Sequence, residues 1–124
     1  MAAIKRFEEI KAWQKARVMV REVYKACAAG TLSKDYGLKD QICRAAVSSM
    51  SNIAEGFGRN SNKDFAHFLD IARGSAMETQ SLLYVALDVC HIKQETFDHL
   101  YAFAEETPAL IIGFSSYLRS SGQK

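Results

Sequence analysis

Residues 51–59 read SNIAEGFGR, and they mark the point where one helical pattern ends and a longer one begins. Gly56 and Gly58 lie at the end of the stretch, and glycine is a residue at which helices commonly stop. Ser61 follows with Asp64 three positions later, a variant of the capping box that opens a helix. The stretch therefore predicts a turn between two helices.

Apolar residues recur at helical spacing on both sides of this turn. The pattern predicts helices over about residues 8–29, 38–58, 61–90 and 94–120, with Gly30 as the stop of the first. The chain contains one proline and no strand pattern. Four helices with short connections predict an all-α, up-down-up-down four-helix bundle, with residues 1–124 forming a single domain.

Gly74 interrupts the third predicted helix, where glycine costs about 1 kcal/mol relative to alanine. The second predicted helix is rich in small residues, including Ser49 and Gly56. We therefore expect Gly74 to permit a close approach by another helix, with Gly56 or Ser49 opposite it.

The composition, 48% hydrophobic and 24% charged, is that of an ordinary globular protein. Cys27, Cys43 and Cys90 make an odd count without CxxC spacing and fall within apolar helical patterns, which predicts reduced thiols in a cytoplasmic protein. The first residues lack the apolar segment of a secretory signal, and the apolar run at 109–112 is too short to span a membrane. We therefore expect no membrane partner.

The charge is unevenly distributed along the chain. Residues 1–62 hold 11 Lys and Arg against 6 Asp and Glu, whereas residues 63–124 hold 5 against 8. This asymmetry fits a face that binds a polyanion or two surfaces that pair between subunits, although solvated helix faces explain most asymmetries of this kind.

The first predicted helix carries a basic stripe. At roughly 100° per residue its basic side chains fall within one arc of the helix surface. These candidate nucleic-acid-binding residues are Lys11, Lys15, Arg17, Arg21 and Lys25. Glu22 and Val18 lie in the same arc, so a solvated face or a subunit contact explains the stripe as well.

Five polar residues near the central turn form a predicted structural cluster: Asn52, Glu55, Arg59, Arg73 and Glu78. A carboxylate paired with arginine more often fixes a conformation than performs catalysis. We therefore predict that these residues fix the turn, and we predict no catalytic residues.

The histidines and cysteines do not have the spacing of a metal site. A di-metal bundle needs Glu-x-x-His on two helices, and no glutamate precedes a histidine by three positions. The cysteine spacings do not match those of zinc ligands. The sequence predicts no metal, no cofactor and no enzymatic activity.

Four segments carry a family resemblance: FEEIKAWQKAR at 7–17, GLKDQICRAAV at 37–47, SNIAEGFGR at 51–59 and FLDIARGSAME at 68–78. In this order they resemble the bacterial four-helix bundle proteins encoded in 23S ribosomal RNA intervening sequences, a family related to the accessory protein of diversity-generating retroelements. The resemblance implies a homopentameric ring, and its retroelement branch implies binding to nucleic acid and to a reverse transcriptase. Met50 stands where the family often has proline.

Three functional hypotheses follow. The first is an oligomeric accessory protein that associates with RNA or DNA through a basic face repeated around the oligomer. The second is a structural scaffold for a protein partner, without nucleic-acid binding. The third is a ligand-binding or enzymatic bundle with a pocket near Gly56 and Gly74.

Overall fold

The computed structural model describes residues 4–120, and the regular structure within that range is helical. The four α-helices are Lys11–Cys27 (α1), Tyr36–Phe57 (α2), Asn62–Asp88 (α3) and Gln94–Ser120 (α4). Short 3-10 helices at Phe7–Glu9 and Gly30–Lys34 precede α1 and α2. Residues 1–3 and 121–124 of the predicted domain lie outside the described residues.

The buried side chains form two clusters, one at each end of the bundle. The N-terminal cluster consists of Ile10, Ala12, Trp13, Ala16, Ile53, Phe65, Leu69, Ala72, Ile111 and Leu118. The cysteine cluster consists of Met19, Val23, Cys27, Leu32, Ile42, Cys43, Ala45, Ala46, Leu82, Leu83, Ala86, Phe97, Leu100 and Ala104.

These clusters give the direction of each helix. The N-terminal cluster joins the starts of α1 and α3 to the ends of α2 and α4, so consecutive helices run in opposite directions. Both α1 and α3 pack against α2 and α4. The predicted all-α, up-down-up-down four-helix bundle is confirmed.

The chain enters the bundle differently from the predicted continuous first helix. Ile10 has extended backbone angles, φ −77° and ψ 120°, and it separates the 3-10 helix Phe7–Glu9 from α1. Its side chain is 1% exposed, so the break in the helix places Ile10 in the N-terminal cluster. At its other end α1 stops at Cys27, before the predicted stop at Gly30. Gly30 begins the next 3-10 helix with φ +60°, a left-handed conformation that glycine adopts without steric cost.

Side-chain caps fix the starts of α2 and α3. Ser61 Oγ accepts a hydrogen bond from the Asp64 amide at 3.1 Å, which confirms the predicted cap of α3. Asp35 Oδ1 accepts one from the Leu38 amide at 3.2 Å. Because Asp35 caps α2, the helix begins at Tyr36, two residues before the predicted start.

Gly56, and not Gly74, is the glycine at a close helix contact. A Cβ built on Gly56 would lie 2.8 Å from Phe68 Cβ and 2.9 Å from Phe65 Cδ1, so only glycine fits against α3 without a shift. Gly74 is exposed, and apart from its chain neighbours and the backbone of its own helix no described atom lies within 4 Å of the position of its Cβ. The predicted close approach of α2 to Gly74, with Gly56 or Ser49 opposite it, is wrong, because Gly74 lies on the outer side of the bundle.

A layer of buried hydroxyls lies along the helices between the two clusters. Ser49, Thr79 and Thr107 are each 0% exposed. Thr79 Oγ1 donates to the Ser75 carbonyl at 3.0 Å, and Thr107 Oγ1 donates to the Phe103 carbonyl at 2.8 Å. Ser49 Oγ has no hydrogen-bond partner among residues 4–120. The layer divides the core into two halves with separate packing.

Candidate nucleic-acid interface

The outward side of α1 forms the basic face, defined by Lys11, Lys15, Arg17, Arg21 and Lys25. The opposite side of α1 is buried, with Ala16, Met19 and Val23 at most 1% exposed. Burial of that stripe turns the basic residues outward, and all of them except the half-buried Lys15 are exposed. The structure therefore presents the predicted basic residues on one surface.

Lys15 is paired within the chain. Its Nζ lies 3.1 Å from Glu106 Oε1 on α4 and 5.6 Å from the centre of the Phe103 ring. The pair joins α1 to α4 at the surface, where such an ion pair is worth about 0–1 kcal/mol.

Glu22 pairs with two more cations of the basic face. Glu22 Oε2 lies 3.5 Å from Arg21 Nε and 3.4 Å from Lys25 Nζ, while Oε1 lies 3.0 Å from His99 Nε2 on α4. The hydrogen bond with His99 is the main cause that lowers the pKa of Glu22, and Lys25 and Arg21 lower it further against the opposing effect of burial. Glu22 thus offsets part of the positive charge at this end of the face.

Lys11 and Arg17 remain as the cations of the basic face without a carboxylate partner among residues 4–120. The guanidinium of Arg17 lies 5.7 Å from the centre of the Trp13 ring, a distance at which the aromatic ring attracts the positive charge. Trp13 itself is 8% exposed and packs edge to face against Phe7, at 5.1 Å between ring centres. Trp13 is therefore a core residue and not a stacking platform, whereas Tyr24 at the end of the face is exposed.

Two shallow depressions flank the middle of the basic face, and both include Gln14 and Val18. One, of about 340 Å³, is also lined by Lys11, Lys15, Glu106 and Leu110. The other, of about 450 Å³, is also lined by Glu8, Trp13, Arg17 and Arg21. Each depression holds one of the unpaired cations, and each has a carboxylate at its edge.

The predicted polar cluster is divided into separate contacts. Glu55 Oε2 lies 3.0 Å from Arg59 Nη2, one turn further along the chain, and the Arg59 guanidinium lies 4.5 Å from the centre of the Phe68 ring. Asn52 Nδ2 instead donates to the Ser48 carbonyl at 2.8 Å. Asn52 therefore reaches back along α2, away from the turn.

The two cluster residues on α3 also lie apart. Glu78 Oε2 accepts a hydrogen bond from Gln41 Nε2 at 3.3 Å, and Arg73 is exposed without an ion pair or hydrogen bond in the described part of the chain. Five residues of helix separate them by roughly 140° of rotation, so they cannot face the same partner. A hydrogen bond of 2.7 Å between Ser48 and Ser75 links α2 to α3 in their place.

A histidine network that the sequence reading missed closes the other end of the bundle. His91 Nδ1 lies 2.7 Å from Thr31 Oγ1, and His91 Nε2 lies 3.0 Å from Asp35 Oδ2. The hydrogen bond with His91 is the main cause that lowers the pKa of Asp35, with the Leu38 amide second. The residue of this network that the sequence could have indicated is Asp35, because aspartate is a preferred helix cap. Its partners lie too far along the chain for spacing to reveal them.

α3 carries exposed apolar side chains at Ile71, Met77, Tyr84 and Val85, and the exposed Val89 follows directly after its last residue. At about 100° per residue, Ile71, Val85 and Val89 share one outward stripe of the helix, and the exposed Gly74 borders it. The exposed Glu78 lies on the same side of the helix between Ile71 and Val85, so one charged residue interrupts this apolar stripe.

Residues 4–120 contain no group of three or more His, Cys, Asp or Glu side chains arranged to hold a metal ion. No helix within this range is both long and apolar enough to cross a membrane.

The chain matches known proteins over most of its length. Residues 8–113 match the family model described as 23S rRNA-intervening sequence protein. The fold is similar to the crystal structure of a protein of unknown function from the S23 ribosomal protein family of Bacteroides thetaiotaomicron VPI-5482. That similarity has a TM-score of 0.77 at 24% identity and covers 84% of this chain and 97% of the other. No curated protein matches the chain.

Proposed function

Because the chain belongs to the 23S rRNA-intervening sequence protein family, we propose that it is a non-enzymatic accessory protein that associates with RNA or DNA. The observation that carries the proposal is the basic face, where Lys11 and Arg17 are exposed and have no carboxylate partner among residues 4–120. Phosphates of a nucleic-acid backbone are the ligands that such cations bind.

The paired cations of the face add to this proposal. The ion pairs of Lys15, Arg21 and Lys25 are at the surface and contribute little to stability. A phosphate can therefore replace Glu106 or Glu22 as their partner at small cost. The basic face would then supply up to five phosphate contacts, and its nearly buried Trp13 favours contact with the backbone over base stacking.

Self-association is the second part of the proposal. The exposed stripe of Ile71, Val85 and Val89 on α3 would be covered by a second copy of the chain, and Gly74 would let the backbone of that copy come close. The family resemblance implies five copies. A ring of that size repeats the basic face, and multivalency raises the avidity of a weak single site.

A scaffold for a protein partner is the competing function, and the internal pairing of the basic face favours it. Three of the five basic residues already contact a carboxylate within the chain. On this alternative, Lys11 and Arg17 pair with acidic residues of another subunit or of another protein, and nucleic acid is not bound.

A salt titration of nucleic-acid binding tests the proposal. Fluorescence anisotropy would follow binding to single- and double-stranded RNA and DNA, while light scattering gives the mass of the assembly. The double variant Lys11→Gln/Arg17→Gln should weaken binding to all sequences and reduce the slope of log K against log salt by roughly 2. Val85→Glu should lower the assembly mass.

The matched control is Lys63→Gln/Lys93→Gln, which removes the same charge from exposed positions outside the basic face. It should leave the salt slope near that of the parent. Equal losses in both double variants would assign binding to net charge and overturn the role of the face. Unchanged affinity with loss of assembly in Lys11→Gln/Arg17→Gln would make the face a subunit interface.

A further inference from the structure

A groove lies between the start of α1 and the second half of α4. Its volume is about 400 Å³, within the range of about 300–1,000 Å³ that is usual for ligand pockets. We call it the α1–α4 groove, and its lining is mainly apolar. The lining residues that matter for its shape and chemistry are Ile4, Ile10, Lys11, Leu110, Gly113, Phe114 and Tyr117.

The apolar side of the groove is held in place by the core beneath it. Leu110, Phe114 and Tyr117 are half-buried and pack against the N-terminal cluster. The rings of Phe114 and Tyr117 are stacked at 6.0 Å between centres, and Phe114 meets Phe65 edge to face at 5.4 Å. A ligand would therefore meet an apolar surface that is already formed, as is usual for ligand pockets.

Gly113 keeps the groove open on the side of α4. It is exposed, and apart from its chain neighbours and the backbone of its own helix no described atom lies within 4 Å of the position of its Cβ. Glycine is less favourable than alanine inside a helix, and the packing of the described residues does not require it here. A side chain at this position would take up space along the groove without a clash at its Cβ.

Lys11 gives the groove a charged end. Lys11 and Leu110 line both the groove and the neighbouring depression that holds Lys15 and Glu106, so the two meet at these residues. The ammonium group of Lys11 has no carboxylate partner among residues 4–120. The groove thus joins an apolar surface to an unpaired positive charge.

The two carboxylates near Lys11 have other contacts. Glu9 also lines the groove, and its Oε1 accepts a hydrogen bond from the Lys5 amide at 3.1 Å. Glu106 Oε1 lies 3.1 Å from Lys15 Nζ. Lys11 therefore remains available to a negative charge that a ligand brings.

We propose that the α1–α4 groove binds a free aliphatic carboxylate, a fatty acid of medium chain length. The alkyl chain lies along Leu110, Gly113 and Phe114 toward Tyr117, and the carboxylate pairs with Lys11. The apolar lining selects the chain, and one unpaired ammonium group selects a head group with one negative charge. This site is distinct from the contacts to phosphates, because its apolar part lies outside the basic face.

Calorimetric titration of the full chain with decanoate, below the concentration at which the ligand forms micelles, tests the proposal. We expect one equivalent to bind per chain. In the series octanoate, nonanoate, decanoate the affinity should rise about fourfold for each methylene group that the groove buries, which corresponds to about 0.8 kcal/mol. A parent protein that binds no decanoate, or affinities that do not depend on chain length, would overturn the proposal.

Gly113→Leu should abolish decanoate binding, because the new side chain occupies the groove. It keeps the five cations of the basic face and should bind nucleic acid like the parent, which separates this site from the proposed function. Ala109→Leu enlarges an exposed side chain of the same lining and should also weaken decanoate binding, in case Gly113→Leu folds poorly. Circular dichroism would confirm the helix content of both variants.

Gly37→Leu is the matched control, because Gly37 is an exposed glycine of α2, outside the groove, with open space at the position of its Cβ. It should bind decanoate like the parent. Binding like the parent's in both Gly113→Leu and Ala109→Leu would overturn the proposal, and so would loss of binding in Gly37→Leu.

Decanol, which has the same chain length without the charge, tests the contact with Lys11. Lys11→Gln should weaken decanoate binding about twofold to fivefold, the range of a surface ion pair, and leave decanol binding unchanged. Lys11→Arg keeps the charge and should bind decanoate like the parent. Equal effects of Lys11→Gln on both ligands would overturn the pairing of the carboxylate with Lys11.

Discussion

The two ends of the bundle have different chemistry. The N-terminal cluster is packed by aromatic rings, with Phe65 5.4 Å from Phe114 and 6.2 Å from Phe57 between ring centres. The cysteine cluster contains two thiols, and the His91 network lies on the loops beside it. The cysteine-cluster end therefore has a histidine–carboxylate contact between two connections, in addition to its packed side chains.

This difference indicates where changes of side-chain volume and changes of pH should have their largest effects. A change of volume should cost most beside Gly56, because a Cβ there would lie within 3 Å of Phe65 and Phe68 of the N-terminal end. A change of pH should act at the other end, where Asp35 and His91 join the connection before α2 to the turn after α3.

The largest effect is expected from Gly56→Ala in α2. The new methyl group would lie within 3 Å of Phe65 and Phe68, and overpacking of this kind costs about 1–3 kcal/mol in the free energy of unfolding. Urea denaturation followed by circular dichroism would measure the loss.

Gly74→Ala makes the same chemical change at an open position of α3. It should raise the free energy of unfolding by up to about 1 kcal/mol, because alanine is the better helix former. Equal effects of the two variants would contradict the assignment of Gly56 as the close contact between α2 and α3.

An intermediate effect is expected at the hydroxyl layer between the clusters. Ser49→Ala removes a buried hydroxyl without a partner among residues 4–120, and it should stabilise the protein by about 1–2 kcal/mol. Thr107→Val removes a hydroxyl that is bonded to the Phe103 carbonyl. It should destabilise the protein by about 1 kcal/mol. Thermal unfolding of both variants would give the two signs, and stabilisation by both would show that the layer has no satisfied bond to lose.

The four-helix bundle could be predicted because the patterns that indicate it involve residues close to one another in the sequence. The spacing of Ser61 and Asp64 predicted the start of α3, and the period of 3.6 residues predicted that Lys11 and Arg17 share one face. The break at Ile10 was missed, because only tertiary burial favours an extended residue there. Gly74 was misassigned because a helical period does not give the distance to a neighbouring helix.

The residues of the basic face could be predicted from the sequence, but their ion-pair partners could not. Lys15 meets Glu106, and Glu22 meets His99, only after α1 and α4 pack together. Long-range contacts of this kind decide which cations of the basic face stay unpaired.

The smallest effect, and the one that tests the proton-dependent end, is expected from Asp35→Asn. Asparagine can still cap α2, so the variant isolates the carboxylate charge. The folded-state pKa of Asp35 lies below its ordinary value of 3.8. Its contribution to stability is therefore present above that ordinary value and is lost as the pH falls through the folded-state pKa.

Urea denaturation at a series of pH values would measure this contribution. Asp35→Asn should lower the stability slightly at neutral pH and make the fall of stability below about pH 4 less steep than in the parent. His91→Gln removes the imidazole that is the main cause of the shift, so it should reproduce part of the same change. The double variant should then add little to Asp35→Asn, because both substitutions remove one interaction. A parallel pH profile for Asp35→Asn and the parent would mean that the His91 network only positions the loops, and the two ends of the bundle would not differ in their response to protons.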